Sequence, residues 1–540
     1  MLFLVLSSCG TSLELLPLTR QRLFAGDMVS KHSFSSYQPI TLSLASHSPR
    51  RISATISPTW FISKRHLRFA AFVFFLLPIV ALLSYETTSN VILPLRGQLS
   101  GVLCEDSTSQ SNDQIWQTLV TAFRDNKPAI KPIQLKYNLD LNLPHEGEEV
   151  PDLAMMTTAE VDTMRRAHTQ FVESVKSQPI KLAYKAGTKG IATTASAESL
   201  PVVVVSLRMI RQTRSTLPVE VFVSDVEVSQ SDICSKIISS LGGQCIPLSP
   251  ILGNETTPEY RENKYFNKLL AMLFSSFEDL LFLDADNLAV VDPSPFFTDA
   301  PFTKTGMVVW PDYWSPTASR KFYKVISSND SILHGTAESG QLLISKRTHT
   351  RSLLLAAFYN FYGREYYYPL LTQGGPGSGD KDTFVPAAVV MGEPYHYVSE
   401  GAGGVGHFIG GEWRGRGMIQ HNPIMDYARI KSGPMAQSSA TAAFVHANVP
   451  KLNPWTVFDR SHPDSPTNDP QGKNWRMWGE PEEALLRKFN GVDMEERLWK
   501  EICGLGCDKQ VIEMLKPRED VCSKCNEYTL EIFGWQTNKP

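Results

Sequence analysis

The sequence predicts an α/β protein, a mostly parallel twisted sheet with helices on both faces, carried behind a single N-terminal transmembrane helix. Three observations predict it. From Lys189 onward, short β-branched runs alternate with helical patterns, the rhythm of strand-helix-strand units. One run, Leu280-Leu281-Phe282-Leu283, is wholly apolar and meets acid at its carboxyl end in Asp284-Ala285-Asp286-Asn287, where open α/β sheets bind ligands. Phe69 to Leu83 is an uncharged apolar run of the kind that enters a bilayer.

Composition narrows the function classes. Apolar residues make up 42% and charged residues 20%, which supports a sizeable core and excludes a globally disordered chain. A net charge of −3 leaves no basic footprint for nucleic acid. Eight cysteines in 540 residues are too sparse for a small disulfide-built scaffold.

Residues 1–66 are rich in Ser, Thr and Leu without a period and read as a disordered cytosolic tail, with Met28 an alternative start. Residues 67–85 read as the anchor, long enough for the thinner secretory membranes. Arg50, Arg51, Lys64, Arg65 and Arg68 precede the uncharged run from Phe69, Glu86 follows, and no Lys or Arg recurs before Arg96. The positive-inside rule then places the N-terminus in the cytosol and the remainder in the lumen, a type II topology. A cleaved signal would lie at the extreme N-terminus and end at a small-residue site; a core helix would show polar positions at helical spacing.

Two further features fit a lumenal body. Asn254-Glu255-Thr256 and Asn329-Asp330-Ser331 are N-glycosylation acceptors. Cys104, Cys234, Cys245, Cys503, Cys507, Cys522 and Cys525 all follow the anchor. Cys234 and Cys245 suit a local bridge. The spacing within Cys503/Cys507 and Cys522/Cys525 resembles zinc ligation, but an oxidising lumen favours disulfides, with connectivity left open.

Residues 86–111 read as a stem and 112–185 as a helical region, with helices over Ile115–Phe123 and Thr158–Val175, the latter capped by Thr158. Residues 186–460 carry the α/β pattern: a strand at GIATTA, a strand at VEVFVSD, helices at SDICSKIISSLGG and Tyr260–Phe274, then the LLFLDADN strand. Residues 461–540 form a Cys-containing extension.

The chemistry concentrates in five places. Residues two apart on an extended chain face one side, so Asp284 and Asp286 can aim both carboxylates at one point, a hard-oxygen site for Mn²⁺ or Mg²⁺. Lys264 and Lys268 share a helix face just before that strand, and Lys268, set among apolar neighbours, is the better phosphate contact. Glu338-Ser339-Gly340 reads as a turn feeding the strand Gln341 to Ile344, and Asp380-Lys381-Asp382 follows the Gly-rich GGPGSG. His446 ends an apolar strand, with Lys451 five residues on in HANVPKLNPW; a neutral imidazole is a suitable third metal ligand and Lys451 a diphosphate contact.

The order hhhDxD, ESG-hhh, DxD, HxN…K..PW resembles retaining nucleotide-sugar glycosyltransferases of the GT-A fold, including the glycogenin-like group. That group has Asp-Gln-Asp where this chain has Asp380-Lys381-Asp382, a departure at the middle side chain. The blocks KGIATTA, LPVVVVSLRMIRQTRSTLPVEVF, SSFEDLLFLDADN, WPDYW, ESGQLLISK and GDKDTF resemble the fungal Golgi α-1,2- and α-1,3-mannosyltransferases of cell-wall mannan, over roughly Lys181 to Trp455.

The resemblance implies a membrane-anchored Golgi enzyme moving mannose from GDP-mannose to a mannose-terminated N- or O-glycan, with Mn²⁺ or Mg²⁺ and retention of configuration, α-1,2 favoured over α-1,3. It implies metal ligation by Asp284, Asp286 and His446, and donor contacts from Thr193, Thr194, Ala195, Arg208, Arg211, Lys268 and Lys451. Glu338, Asp380 and Asp382 are the catalytic candidates, and Trp310, Asp312, Trp314, Gln341 and Lys381 the acceptor candidates. Retention needs a carboxylate nucleophile, Asp380 or Asp382, or same-face attack assisted by the leaving phosphate. Acceptor choice is expected to depend on Trp310 to Trp314 and on Gly401 to Gly417, read as a mobile Gly-rich stretch. The family also implies Golgi mannosyltransferase complexes, which no residue here shows. Two rival readings are a non-catalytic subunit of a Golgi glycosylation complex and a lumenal aspartyl-phosphate phosphohydrolase, whose nucleophile would be Asp284.

Overall fold

The structure, a computed structural model, describes residues 110–140, 149–253, 265–328, 335–409, 411–433, 439–459, 465–466, 473–480, 482–515 and 520–537. The tail, the anchor and nearly all of the stem lie outside the described residues, as do Lys264, Cys104 and both acceptor asparagines, Asn254 and Asn329. Among the described residues no helix is long and apolar enough to cross a membrane. Residues 102–540 form one compact unit, so the boundaries expected near 185 and 460 fall inside it.

Helix α1 (Asn112–Asp125) buries Ile115, Trp116, Leu119, Val120 and Phe123. Helix α2 (Thr158–Ser177) is capped by Thr157, not Thr158: the Thr157 hydroxyl accepts from Glu160 N at 3.3 Å and the Glu160 carboxylate accepts from Thr157 N at 2.8 Å. This reciprocal pair satisfies two orphan donors. Strand β1 (Lys185–Ala195) leads into α3 (Leu200–Gln212). The run of four valines has strand propensity, yet it is helical because every residue from Leu200 to Leu207 is buried, and tertiary burial overrides a weak intrinsic preference.

Strands β2 (Val219–Val223) and β3 (Gly243–Pro247) follow, with a Cys234–Cys245 disulfide tying the π-helical turn Ile233–Ile238 to β3. Then come α4 (Phe266–Phe274), β4 (Phe277–Leu283), β5 (Asn287–Ala289), β6 (Met307–Pro311), β7 (Ala337–Ser345), α5 (Lys346–Phe361) and α6 (Phe384–Met391). The chain continues through β8 (His396–Tyr397), β9 (Gly403–Ile409), β10 (Glu412–His421), α7 (Pro423–Ser432), β11 (Ala442–His446), α8 (Met494–Gly506) and α9 (Val521–Phe533).

A seven-stranded sheet has the order β8-β6-β7-β4-β1-β2-β3, and a four-stranded sheet the order β9-β10-β11-β5. The large sheet is mostly parallel, as expected, with one reversed strand: β7 runs antiparallel to both β4 and β6, while the β8-β6, β4-β1, β1-β2 and β2-β3 pairs are parallel. Alternation along β4 sends Leu280 and Phe282 to one core with α1, α2, α4 and α5. Leu281 and Leu283 face a second core with α3, the small sheet, α8 and α9. Disulfides Cys503–Cys525 and Cys507–Cys522 staple α8 to α9, which settles the tail cysteines as disulfides.

Two expectations are corrected. Glu338-Ser339-Gly340 is strand, not turn, because β7 begins at Ala337 between two partners that pair its backbone. The stretch Gly401 to Gly417 is for the most part a hairpin, β9 paired with β10, broken by a bulge at Val405/Gly406.

Candidate active site

A cleft of about 1020 Å³ opens where the carboxyl ends of β1 and β4 meet the small sheet. Each carboxylate reaches it by local folding. After Leu283 the chain leaves β4 in a turn: Asp284 N donates to Gly340 O at 2.8 Å, and Asn287 N donates to Asp284 O at 3.0 Å. Ser206 of α3 donates to Ala285 O at 2.5 Å and pins the turn from below. The buried Asn287 amide donates to Gly340 O at 2.7 Å and to Gln341 Oε1 at 2.6 Å, joining β5 to β7. Asp284 and Asp286 thus converge through a turn. His446 arrives from the end of β11, which pairs with β5 in the register His446 opposite Asn287.

Ligand atoms of Asp284, Asp286 and His446 all lie within 4.8 Å of one another. His446 Nε2 stands 3.2 Å from Asp286 and 3.9 Å from Asp284. Its other nitrogen, Nδ1, is 2.6 Å from Glu338 Oε1. A carboxylate behind a ligating histidine fixes which nitrogen faces the metal. Gly340 belongs to the same geometry: a Cβ there would collide with Glu338 Oε1 and stand 2.5 Å from His446 Nδ1. Two carboxylates and an imidazole are a donor set that Mn²⁺ or Mg²⁺ accepts, so the residues present fit a divalent cation.

The cleft is also densely charged. Glu198, Asp284, Asp286, Asp312, Glu338 and Asp380 line the cleft against Lys268, Lys381 and Lys451, an excess of negative charge. Burial works against the charge on Asp286, but His446 and Lys451 outweigh it and hold the carboxyl well below its usual range. Burial raises Asp284, with Lys268 and His446 opposing. Burial also opposes charge on His446, yet Glu338 and Asp286 keep it well above the ordinary imidazole value.

Lys268 is buried in α4 and reaches Asp284 at 3.2 Å, Asp380 at 3.1 Å, Ser339 O at 2.7 Å and Ser339 Oγ at 3.1 Å. It knits the two acidic motifs together. Lys451 pairs with Asp286 while 64% of its side chain stays exposed, so it can swing to a phosphate. Lys381 pairs with Asp312 at 2.6 Å and stands 3.8 Å from Asp382.

The structure brings together Thr194, Lys268, Asp284, Asp286, Asp312, Trp314, Glu338, Asp380, Lys381, His446 and Lys451 on one cleft. Several expected residues stand elsewhere. Arg211 spends its guanidinium on the carbonyls of Leu241, Ser215 and Leu217 at 2.8–3.0 Å, a brace of the sheet and not a phosphate fork. Arg208 faces Asp508 at 3.7 Å. Trp310 is fully buried, donating to His421 O at 2.8 Å and meeting Phe444 edge-on at 5.7 Å, so it serves packing. Thr193, Ala195, Gln341 and Asp382 lie behind the lining. Gln341 donates to Glu338 from below, and burial pushes Asp382 up to about 6.

Reading by motif missed Ser196, Glu198, Ser199, Tyr265 and Tyr313, which line the same cleft. The residues following β1 carry no local chemical signature beyond their place at a strand end. Tyr313 had one, since it sits inside WPDYW.

Fold and site define a class: an α/β protein with a carboxylate-imidazole cluster, able to hold a cation, at the carboxyl ends of its strands. Residues 188–335 and 326–422 match the mannosyltransferase family Mannosyl_trans3. Alpha-1,2-mannosyltransferase MNN21 of Candida albicans is 31% identical over 445 residues, covering 69% of this chain and 66% of that protein. Alpha-1,2-mannosyltransferase MNN2 of Saccharomyces cerevisiae is 32% identical over 321 residues, 52% of this chain and 53% of that protein. The chain belongs to this family of glycosyltransferases. It spans from about half to two thirds of the length of these curated relatives. The crystal structure of galactosyltransferase LgtC with donor and acceptor sugar analogs covers 39% of this chain and 73% of that one, at 14% identity and a TM-score of 0.27, a likeness too small to carry an argument.

Proposed function

We propose that the chain is a Golgi type II α-mannosyltransferase of GT-A type. It moves mannose from GDP-mannose to a mannose-terminated glycan with retention of configuration, in α-1,2 linkage. The observation that carries this reading is the convergence of Asp284, Asp286 and His446 on one point of the cleft, between Lys268 and Lys451. The names of the relatives support mannose transfer and the α-1,2 linkage.

The chain's own groups divide the work. Asp284, Asp286 and His446 would hold a divalent cation, which when bound offsets the charge of a departing diphosphate. Glu338 fixes the His446 ring. Lys451, whose side chain is largely exposed, would exchange Asp286 for the diphosphate as it leaves. Asp380 lines the cleft and Asp382 does not, so Asp380 rather than Asp382 would meet the transferred mannose. The Asp312–Lys381 pair stands on the same wall and would orient an acceptor hydroxyl. A phosphohydrolase is disfavoured because β4 is an inner strand preceded by β1, β2 and β3. An intact ligand set counts against a purely structural subunit.

The test is GDP release by the full chain in detergent, with GDP-mannose, Mn²⁺ and α-mannobiose, with and without EDTA. Acceptor-stimulated release that EDTA abolishes, yielding an α-1,2-linked product, is expected. Asp286→Ala should lower turnover by at least on the order of a hundredfold while leaving the melting temperature near the parent's. No release from a folded sample would overturn the reading in favour of the non-catalytic subunit.

A further inference from the structure

The hairpin β9–β10 leads away from the cleft and ends in two uncovered aromatic rings. Phe408 is 69% exposed and Trp413 is 50% exposed. They are directly opposed across the hairpin with ring centroids 5.2 Å apart. The bulge at Val405/Gly406 decides what else shares their face. Without it, Met418 would turn to the opposite side; with it, Met418 pairs with Gly404, Gly406 with Gly415, and Phe408 with Trp413. Alternation then places all six on one face. Met418 lines the cleft. From Met418 to Trp413 the strand runs roughly 15 Å at about 3.3 Å per residue.

Between those ends the face is backbone. The Trp413 ring lies over the glycines: a Cβ would sit 2.9 Å from it on Gly406, 3.6 Å on Gly415 and 3.8 Å on Gly404. One ring face is therefore seated and the other is left to solvent. The hairpin's reverse side is anchored. Val405 is buried, His407 Nδ1 bonds Met477 O at 3.0 Å, and the His407 ring packs on Trp475 at 4.2 Å. At the base, Tyr313 of the cleft wall donates its hydroxyl to Gly403 O. The track is thus anchored from behind and continuous with the cleft.

We propose that this face is an extended acceptor subsite, occupied by the inner sugars of an α-linked mannose oligosaccharide whose end sits in the cleft. The inference rests on the mannosyltransferase reading. Sugar rings offer an apolar CH face and polar edges. A half-exposed indole takes that face, and side-chain-free glycines let the polar edges approach main-chain groups. The patch is narrow, and Trp413 is flanked along its strand by the charged Glu412, 74% exposed at its side chain, and Arg414, 53% exposed. A contiguous apolar protein interface would be broader and less polar at the edge.

The experiment measures binding and transfer separately, using the full chain in detergent. A long unbranched α-mannan oligosaccharide and α-mannobiose are each titrated against the parent, the Phe408→Ala/Trp413→Ala variant and Trp413→Tyr. The double variant should bind the long chain about tenfold more weakly and raise its KM to match. The KM for mannobiose should stay within about twofold, and Trp413→Tyr should recover most of the long-chain affinity. Equal loss for both acceptors, or none for either, overturns the subsite. Binding needs no turnover, so the two readings fail separately. A parent that binds the long chain through Trp413 yet transfers nothing refutes the transferase and keeps the subsite. A parent that transfers mannose while the double variant matches it refutes the subsite alone.

Discussion

The imidazole of His446 is gripped at both nitrogens, by Glu338 at 2.6 Å and by Asp286 at 3.2 Å. Glu338 was expected to meet sugar; its position gives it a task toward the histidine. Its Oε1 also accepts from Gly340 N at 2.7 Å, so the carboxylate is itself held. A partner of this kind is worth about 10- to 100-fold in metal affinity. Glu338→Gln keeps the volume and removes the charge that favours one tautomer. Its Mn²⁺ affinity, read by titration, should drop by about 10- to 100-fold, with much of the turnover restored at saturating Mn²⁺. An unchanged affinity would show that Glu338 acts on the sugar instead. This pairing was illegible in the sequence because the partners lie 108 positions apart and nothing local in Glu338-Ser339-Gly340 announces a strand. The Asp284/Asp286 pair was legible, because an apolar strand and its first acids are contiguous.

At the scale of elements, the C-terminal helices show how the extension is locked to the body. The buried Glu495 of α8 accepts from Met477 N at 2.6 Å and Trp478 N at 2.9 Å, with Arg476 Nε 3.5 Å away. Burial outweighs these partners and pushes its carboxyl from 4.5 up to about 7. Between those two values the folded chain binds the proton and the unfolded chain does not. This group's contribution is therefore full below 4.5 and is lost as pH rises through about 7. Glu495→Gln should flatten the fall of melting temperature over that window. It should also lower stability at pH 5 by about 1–3 kcal/mol, since one backbone N–H loses its acceptor. A slope identical to the parent's would place the proton elsewhere. Element type was readable where periodicity and burial agree, as in α1 and β4. It was not readable in α3, whose valines follow strand propensity but are enclosed on all sides, nor in β9–β10, where glycines conceal a paired hairpin.

For the whole molecule, what holds the unit together also bears on where it works. Three disulfides, Cys234–Cys245, Cys503–Cys525 and Cys507–Cys522, all fall within residues 102–540. Such bonds persist in secretory compartments and are reduced in the cytosol. The basic cluster Arg50 to Arg68 lies on the other side of the apolar run, and basic flanks stay cytosolic. Redox chemistry and charge asymmetry are independent, and both support the proposal that the cleft is lumenal. The alternation of strands and helices made the class of this unit legible, while the reversal of β7 was not, because strand direction depends on pairing and not on composition. In sealed microsomes the full chain should therefore yield a protease-protected fragment beginning near the anchor and running through residue 540. That fragment should become digestible once detergent opens the vesicles, and deglycosylation should shift its mobility if Asn254 or Asn329 is modified. Digestion of the unit in intact vesicles would reverse the orientation. It would leave the three disulfides to form in a reducing compartment, where free thiols are expected instead.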